Sequence, residues 1–296
     1  MRTRLTTVLT LSAAAALAVA VAPATASADN GRTGDSSASG QDRLQAIGLA
    51  GDRTLVSFDT GKADRGRALG DVQGLAPGDQ DLVGIDYRVQ DGMLYAVGRS
   101  GGVYAVDTRT LKATKVLQLT VALDGTNFGV DFNPAANALR IVSDKGQNLR
   151  QPFAAPAGSP AGTPVPGTAT DTSLTSPPAA GTTTGVTGAA YTNNDLDAAT
   201  STTLFDLATT TDQVVIQAPA NAGTLSATGA TGVDLTGDTG FDIYTSTRGR
   251  SAGQLSAFAV NGGTLYAVDL LSGRFAEAGR IGGGQVTDIA IPLAQR

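Results

Sequence analysis

The sequence has 296 residues, a formal net charge of -5 and no Cys, His or Trp. Without histidine there is no Ser-His-Asp catalysis, no His-ligated zinc or haem and no imidazole pH switch, and without cysteine there are no disulfides, thiolate nucleophiles or iron–sulfur sites. Glu277 is the only glutamate beside 25 aspartates, a composition that favours turns over helices.

Residues 1–28 have the features of a secretory signal peptide. Arg2 and Arg4 precede an apolar stretch from Leu5 to Ala22, and small residues up to Ala28 fit the cleavage pattern. The alternative is a membrane anchor, but the stretch is short for a span. We therefore predict a secreted or cell-envelope-associated protein with no membrane span, and its acidic charge predicts no nucleic-acid partner. Residues 29–40 lack large apolar side chains and are predicted to be a disordered lead-in.

The chain from Leu44 onwards consists of short segments in which β-branched or aromatic residues recur at every second position. Examples are LVGIDYR at 82–88, GMLYAVG at 92–98 and GGVYAVDTRT at 101–110, divided by Gly, Asp and Asn. No apolar stripe of helical period extends beyond about two turns. The fold class is therefore predicted to be all-β.

A segment of the form Gly-apolar-Asp/Ala-apolar repeats along the chain. Copies begin at Gly84, Gly129, Gly188 and Gly240, with a weaker fifth at Asp288, and their spacings are 45, 59, 52 and 48 residues. These spacings are close to the roughly 40 to 50 residues of a four-stranded propeller blade. We predict a single β-propeller over residues 41–296, with five four-stranded blades. A two-sheet sandwich is the alternative, although sandwiches lack such regular spacing, and no register for six blades is found.

The two ends of the domain complete each other. The strand at 286–293 opens a unit that the chain does not finish, and the segments LQAIGLAG at 44–51 and RTLVSFDTG at 53–61 resemble later strands without an opening strand. Joining them gives a fifth blade and removes an exposed sheet edge.

Residues 151–185 interrupt the pattern with a Pro/Thr/Gly-rich composition. We predict an insertion or irregular outer strands of the second blade, because proline is tolerated on edge strands. An O-glycosylated or partner-binding loop is the alternative.

A second repeated feature is an aspartate directly after an apolar run. It occurs at Asp59, Asp107, Asp206 and Asp269, and the pattern predicts that each side chain caps a turn.

The repeat places Asp86, Asp131 and Asp242 at equivalent points of the opening strands, nearest the propeller axis. Converging carboxylates suit calcium, a hard cation with 6 to 8 oxygen ligands, so these three are the candidate metal ligands. The favoured alternative is that each aspartate hydrogen-bonds the backbone of its own blade. Asp288 fits the set only if its strand is displaced by two residues.

Arg140, Asn148 and Arg150 form a second candidate site around a predicted hairpin. Both arginines alternate with apolar residues and are expected between packed blades, where a buried guanidinium needs a partner. The structural interpretation is pairing with Asp131 or Asp144, and the functional one is recognition of a carboxylate or phosphate ligand. The basic loop TRGRSAG at 247–253 is predicted to be a solvated hairpin loop.

Several stretches resemble a known bacterial family. They are FGVDFNPAANALRIVSDKGQNLR at 128–150, AAYTNNDLDAATSTTLFDLATTTDQVVIQAPANAGTL at 189–225 and GFDI at 240–243. The chain from about Leu44 to Leu293 resembles the domain-of-unknown-function family numbered 4394. The resemblance implies a secreted or envelope-associated β-propeller-like domain and carries over no catalytic residue. The stretch after Arg150 departs from the family pattern.

Two classes of function remain open. We expect a secreted, non-enzymatic binding or scaffold domain for an extracellular ligand or protein, with no catalytic residues and no obligatory cofactor. The alternative is a calcium-dependent hydrolase, similar to the lactonase and phosphotriesterase propellers. The absent histidine, the position of Glu277 and the five-blade count weigh against it.

Overall fold

The structure is a computed structural model that describes residues 43–295, except 156, 157, 160–162, 164, 198, 248 and 294. The predicted signal peptide at 1–28 and the lead-in at 29–40 lie outside the described residues. Among the described segments, no helix has the length and apolar character needed to cross a membrane.

Strands dominate the described chain, joined by short turns and three 3₁₀ segments at Pro77–Asp79, Ala220–Ala222 and Gly249–Ser251. In chain order the strands are β1 (Gln45–Ala50), β2 (Thr54–Asp59), β3 (Lys62–Asp71), β4 (Leu82–Tyr87), β5 (Leu94–Gly98), β6 (Gly102–Asp107), β7 (Lys112–Gln118), β8 (Phe128–Asn133), β9 (Ala138–Ser143), β10 (Asn148–Pro152), β11 (Ala169–Thr170), β12 (Val186–Tyr191), β13 (Leu204–Ala208), β14 (Gln213–Gln217), β15 (Leu225–Ala230), β16 (Thr239–Thr245), β17 (Leu255–Asn261), β18 (Thr264–Val268), β19 (Phe275–Arg280) and β20 (Val286–Ala290).

These strands form five four-stranded antiparallel sheets. Blade 1 is β4 to β7, blade 2 is β8 to β11, blade 3 is β12 to β15 and blade 4 is β16 to β19. Blade 5 has the order β20-β1-β2-β3, in which Ile47 of β1 faces Ala290 of β20. The all-β class, the five blades and the closure of the last blade by N-terminal strands are therefore confirmed.

The core lies between the blades. Inner and middle strands such as β9 and β12 are buried at every position, whereas the outermost strands β7 and β19 are largely exposed. Each of the five apolar clusters combines residues of two neighbouring blades. Burial on both faces explains why the inner strands are almost continuously apolar in the sequence.

The repeated glycines allow the innermost strands to approach one another at the axis. A Cβ atom on Gly129 would lie 2.6 Å from the backbone nitrogen of Ala189 in the next blade, and one on Gly240 would lie 2.6 Å from Cα of Asp288. Real Cβ atoms do not come so close to neighbouring backbone. The Gly-x-Asp signature thus reflects close approach around the axis.

The irregular segment supplies one short outer strand. β10 ends at Pro152, and only Ala169–Thr170 returns to pair with Leu149 and Arg150. Further on, Thr175 forms an isolated parallel bridge with Thr224 of the neighbouring blade. The described residues of the segment thus contribute one short strand, β11, at the outer edge of blade 2, and glycosylation or partner binding in this segment stays a prediction.

Candidate axial carboxylate site

Four aspartates meet where the innermost strands converge. Asp86 lies on β4, Asp131 on β8, Asp242 on β16 and Asp288 on β20. Asp86, Asp131 and Asp242 each place a carboxylate oxygen within 4.8 Å of the others. These three side chains belong to residues that are only 7%, 4% and 6% exposed. The structure thus brings together the three candidate metal ligands named from the sequence.

The carboxylates of this cluster tie neighbouring blades together. Asp86 accepts hydrogen bonds from the backbone N–H of Tyr87 on its own strand, at 2.6 Å, and of Phe132 in blade 2, at 2.8 Å. Asp242 accepts in the same way from Ile243 and from Ile291. The innermost strands of adjacent blades belong to different sheets, so these N–H groups need acceptors other than a β-ladder. The bonds reach beyond the aspartate's own blade to the next one.

Two blades depart from this arrangement. Blade 3 has Ala190 at the equivalent position, and there the hydroxyls of Thr187 and Thr239 form a buried hydrogen bond across to blade 4. In blade 5 the innermost strand keeps the register that the sequence repeat gives it. The N–H of Ile291 donates to Asp242 as the N–H of Phe132 donates to Asp86, so Ala290 occupies the position equivalent to Asp131. Asp288 joins the cluster from two residues earlier and accepts a bond from Ile85 N–H at 2.8 Å.

The cluster is electrostatically unfavourable when every carboxyl is ionised. Burial raises the pKa of Asp86 and Asp131 well above the ordinary value, and the charges of neighbouring aspartates raise these pKa values further. Burial also raises the pKa of Asp242 to about 7 and that of Asp288 well above its ordinary value. None of the four forms an ion pair with a basic side chain within the described part of the chain. Protons or a bound cation would relieve the repulsion.

A pocket of about 230 Å³ adjoins this cluster through Asp288, which is part of its wall. Asp52, Asp81 and Asp238 also line it, together with a single basic residue, Arg99. Arg99 donates to Asp81 at 2.8 Å and to the carbonyl of Thr126 at 3.0 Å. Burial raises the pKa of Asp238, although the charge of Arg99 lowers it. The pocket therefore carries more carboxylates than its one guanidinium balances.

The three clustered carboxylates fit part of a calcium shell. Calcium binds oxygens at roughly 2.3–2.6 Å, so oxygens within 4.8 Å of one another can contact one ion. Three carboxylates supply at least three of the 6 to 8 oxygens that calcium takes. Asp86, Asp131 and Asp242 are thus the residues that could hold a cation, with the remaining oxygens coming from other groups or from water.

The second candidate site is also assembled, but around a carboxylate of the chain itself. Arg140, only 2% exposed, donates from Nη1 to Asn148 Oδ1 at 2.6 Å and to Asp171 Oδ2 at 2.8 Å. Arg150 donates to the same Asp171 carboxylate at 3.1 Å. The predicted pairing with Asp131 or Asp144 is wrong. Asp171 belongs to the irregular segment, whose position the repeat could not give, and recognition of an external carboxylate or phosphate stays a prediction.

Three of the four predicted turn caps are confirmed. Asp59, Asp107 and Asp269 each accept a hydrogen bond from the N–H two residues further on. The prediction is wrong for Asp206, which lies in the middle of β13 and is 0% exposed. The turn follows three residues later in blade 3, so its side chain points into the packed interface. The acidic pocket was not predicted from the sequence, because its residues come from strand ends and loops that are far apart in the chain.

Solved structures with similar folds include proteins of bacterial origin. One is a structural genomics protein of unknown function from Bacteroides thetaiotaomicron VPI-5482, with 15% identity, a TM-score of 0.47 and coverage of 87% of this chain and 68% of that one. Another is an auxiliary nutrient binding protein from Bacteroides ovatus ATCC 8483, with 12% identity, a TM-score of 0.38 and coverage of 82% and 52%. A third is PorZ of Porphyromonas gingivalis, with 13% identity, a TM-score of 0.41 and coverage of 84% and 30%.

Comparison of sequences places the chain in a family. No curated protein matches it. The family described as "Domain of unknown function (DUF4394)" matches residues 54–290. Because this match spans most of the chain, the protein belongs to that family, as the sequence resemblance implied.

Proposed function

We propose that this member of the DUF4394 family is an exported, non-enzymatic propeller that binds a small cationic ligand on its axis. Export rests on the signal-peptide features of residues 1–28. Binding rests on the axial pocket and on the carboxylates beneath it. The observation that carries the proposal is the excess of carboxylates around a pocket that contains a single guanidinium.

The charge of the pocket selects the sign of the ligand. Arg99 already donates a hydrogen bond to Asp81 at 2.8 Å, so the Asp81 carboxylate largely neutralises its charge within the pocket wall. Asp52, Asp238 and Asp288 remain without a basic partner in the wall. A cation entering here gains attraction from three carboxylates and favours the ionised form of Asp288, whose pKa is raised by burial and, to a smaller extent, by the charges of Asp242 and Asp238.

The size of the pocket selects the class of ligand. A volume of about 230 Å³ is below the roughly 300–1,000 Å³ of sites for drug-sized molecules. It suits a metal ion with part of its water shell or a short amine. A polysaccharide or folded partner would contact only its rim.

A calcium-dependent hydrolase is the second candidate, and the close approach of Asp86, Asp131 and Asp242 is the observation that favours it. The backbone hydrogen bonds of Asp86 and Asp242 favour a structural role, in which these side chains join neighbouring blades, over a catalytic one. Both oxygens of each carboxylate already accept a hydrogen bond. Calcium-dependent turnover of a lactone or phosphotriester would support the hydrolase.

The test is calorimetric titration of the protein without residues 1–28 at pH 8, with calcium chloride and, separately, with putrescine. We expect one of these cations to bind at one site per chain. Asp238→Asn, in the pocket wall, should weaken binding several-fold. Asp64→Asn removes the same charge from the exposed outer strand β3 and should leave the affinity unchanged. Absence of binding by both cations, or equal weakening by both variants, would contradict the proposal.

A further inference from the structure

The interface between blades 2 and 3 contains a buried polar cluster that the axial site does not involve. Arg140 of β9 lies at its centre, with Asn148 and Asp171 bonded to its Nη1 and Asn221 bonded to its Nη2. Gln217 of β14 joins the cluster by donating to Asn148 Oδ1 at 3.3 Å. Asp206 of β13 belongs to the same region, because it pairs with Val215 on β14, the strand that contains Gln217, and the charge of Arg140 lowers its pKa against the larger effect of burial.

Three buried oxygens in this cluster have no protein donor among the described residues. They are both carboxylate oxygens of Asp206 and Oε1 of Gln217. Asp206 faces Val215 in the ladder, and Gln217 lies two residues beyond Val215 on the same face of the blade. Buried polar side-chain atoms in native proteins nearly always have a hydrogen-bond partner, so three such oxygens together call for a donor.

The orientation of Gln217 is fixed by its other contacts. Its Nε2 donates to the carbonyl of Ala220 at 2.6 Å as well as to Asn148. Rotating the amide would set Oε1 against these two acceptors, so the acceptor must point away from them. Nearby, the two N–H groups of Arg140 Nη1 serve Asn148 and Asp171, while Nη2 uses one of its two for Asn221. Among the described residues, one N–H of Arg140 Nη2 therefore has no protein acceptor.

We propose that one water molecule is bound at this interface, where it accepts a hydrogen bond from Arg140 and donates to Asp206 and Gln217. Water has two donors and two acceptor positions, and buried waters commonly have about three polar partners. A metal cation fits poorly beside the Arg140 guanidinium. A proton on Asp206 alone leaves at least one of the three oxygens without a partner, whereas the water donates to two of them and a proton on Asp206 can occupy the third.

The bound water makes Asp206 part of the arginine network. Asp171 contacts Arg140 directly, and the water connects Arg140 to the carboxyl group of Asp206 by hydrogen bonds. Both blades then hold the same guanidinium, Asp171 from the irregular segment of blade 2 and Asp206 from the middle of blade 3. This site is independent of the axial cation proposal, since none of its residues lines the axial pocket.

The experiment is a high-resolution crystal structure of the wild-type protein together with ¹⁷O magnetic relaxation dispersion, which counts long-lived internal waters. We expect a solvent peak within hydrogen-bond distance of Arg140, Asp206 and Gln217. Asp206→Leu, which fills the space, should lose one long-lived water, whereas Leu204→Met on the same face of β13 should lose none.

Two results would overturn the proposal. One is direct contact of Asp206 with Gln217 or Arg140 and no solvent peak between them. The other is a peak with the anomalous signal of a metal ion. If Asp206→Leu does not fold, the wild-type crystal structure decides the question alone.

Discussion

Stability should fall as the pH rises from 5 to 8, because the folded protein retains protons on its axial aspartates. Asp242 has a pKa of about 7 in the folded protein against an ordinary value of 3.8. Between these values the folded state holds a proton that the unfolded state has released. The stabilisation is fully present below the unfolded pKa and is lost as the pH rises through the folded pKa.

The magnitude follows from the same comparison. Each pH unit between the two pKa values lowers the free energy of unfolding by up to about 1.4 kcal/mol per group. From pH 5 to 8, Asp242 alone therefore contributes a loss of up to about 3 kcal/mol, a large part of the roughly 5–15 kcal/mol of a typical domain. Asp86, Asp131 and Asp288 have raised pKa values and act in the same direction.

The assay is urea unfolding followed by far-ultraviolet circular dichroism, since the chain has no tryptophan. Measurements at pH 5, 6.5 and 8 are made at constant ionic strength. Asp242→Asn should flatten the dependence, because an amide does not titrate, and Asp64→Asn should keep the wild-type slope. A wild-type stability that is flat or rises from pH 5 to 8, or a slope unchanged in Asp242→Asn, would refute the reasoning.

Three further changes test the fold by urea or thermal unfolding. Asp86→Ala leaves the N–H groups of Tyr87 and Phe132 without their acceptor and should cost about 2 kcal/mol or more at pH 5; an unchanged midpoint would contradict the interblade role. Asp171→Asn removes the charged partner of a buried guanidinium and should lower the free energy of unfolding by about 3 kcal/mol. Breaking an exposed ion pair such as Lys145 with Asp124 should lower it by less than about 1 kcal/mol. Deleting residues 41–60 removes β1 and β2, and with them the strands that pair with β20 and β3 in blade 5, and should abolish cooperative melting. Deleting 29–40 should leave Tm unchanged, and a monomeric, cooperatively melting 41–60 deletion would contradict ring closure.

The architecture could be predicted because its cause is periodic. Blades 1 to 4 each have a glycine on the innermost strand, where neighbouring strands come within contact distance, as at Gly129 and Gly240, and blades 1, 2 and 4 have an aspartate that can accept interblade N–H groups, as at Asp86. These features recur at blade spacing and therefore reveal the repeat in the sequence, although blades 3 and 5 have an alanine in place of the aspartate. The same repeat showed that the units at the two ends of the chain are incomplete, and this predicted that their strands form one blade together, as they do in blade 5.

The partners in the second site could not be predicted because nothing periodic fixes them. Asp171 reaches Arg140 through the irregular segment, whose path depends on packing against blade 3. Asp206 follows an apolar run, as the three turn-capping aspartates do. Its strand continues past it to Ala208, so its carboxyl group is buried in the sheet instead of capping a turn. The axial pocket combines residues from strand ends and loops of several blades, which only the closed ring brings together.

The most direct test of the axial cation site is a parallel titration of the wild-type protein with calcium chloride and putrescine at pH 8 and pH 5. We predict that the cation that binds does so more tightly at pH 8, with release of protons, because Asp238 and Asp288 of the pocket wall, whose pKa values burial raises, must ionise to attract it. Binding should also restore part of the stability lost between pH 5 and pH 8. Failure of both cations to bind at pH 8, or binding with no proton release and no dependence on Asp238, would contradict the account.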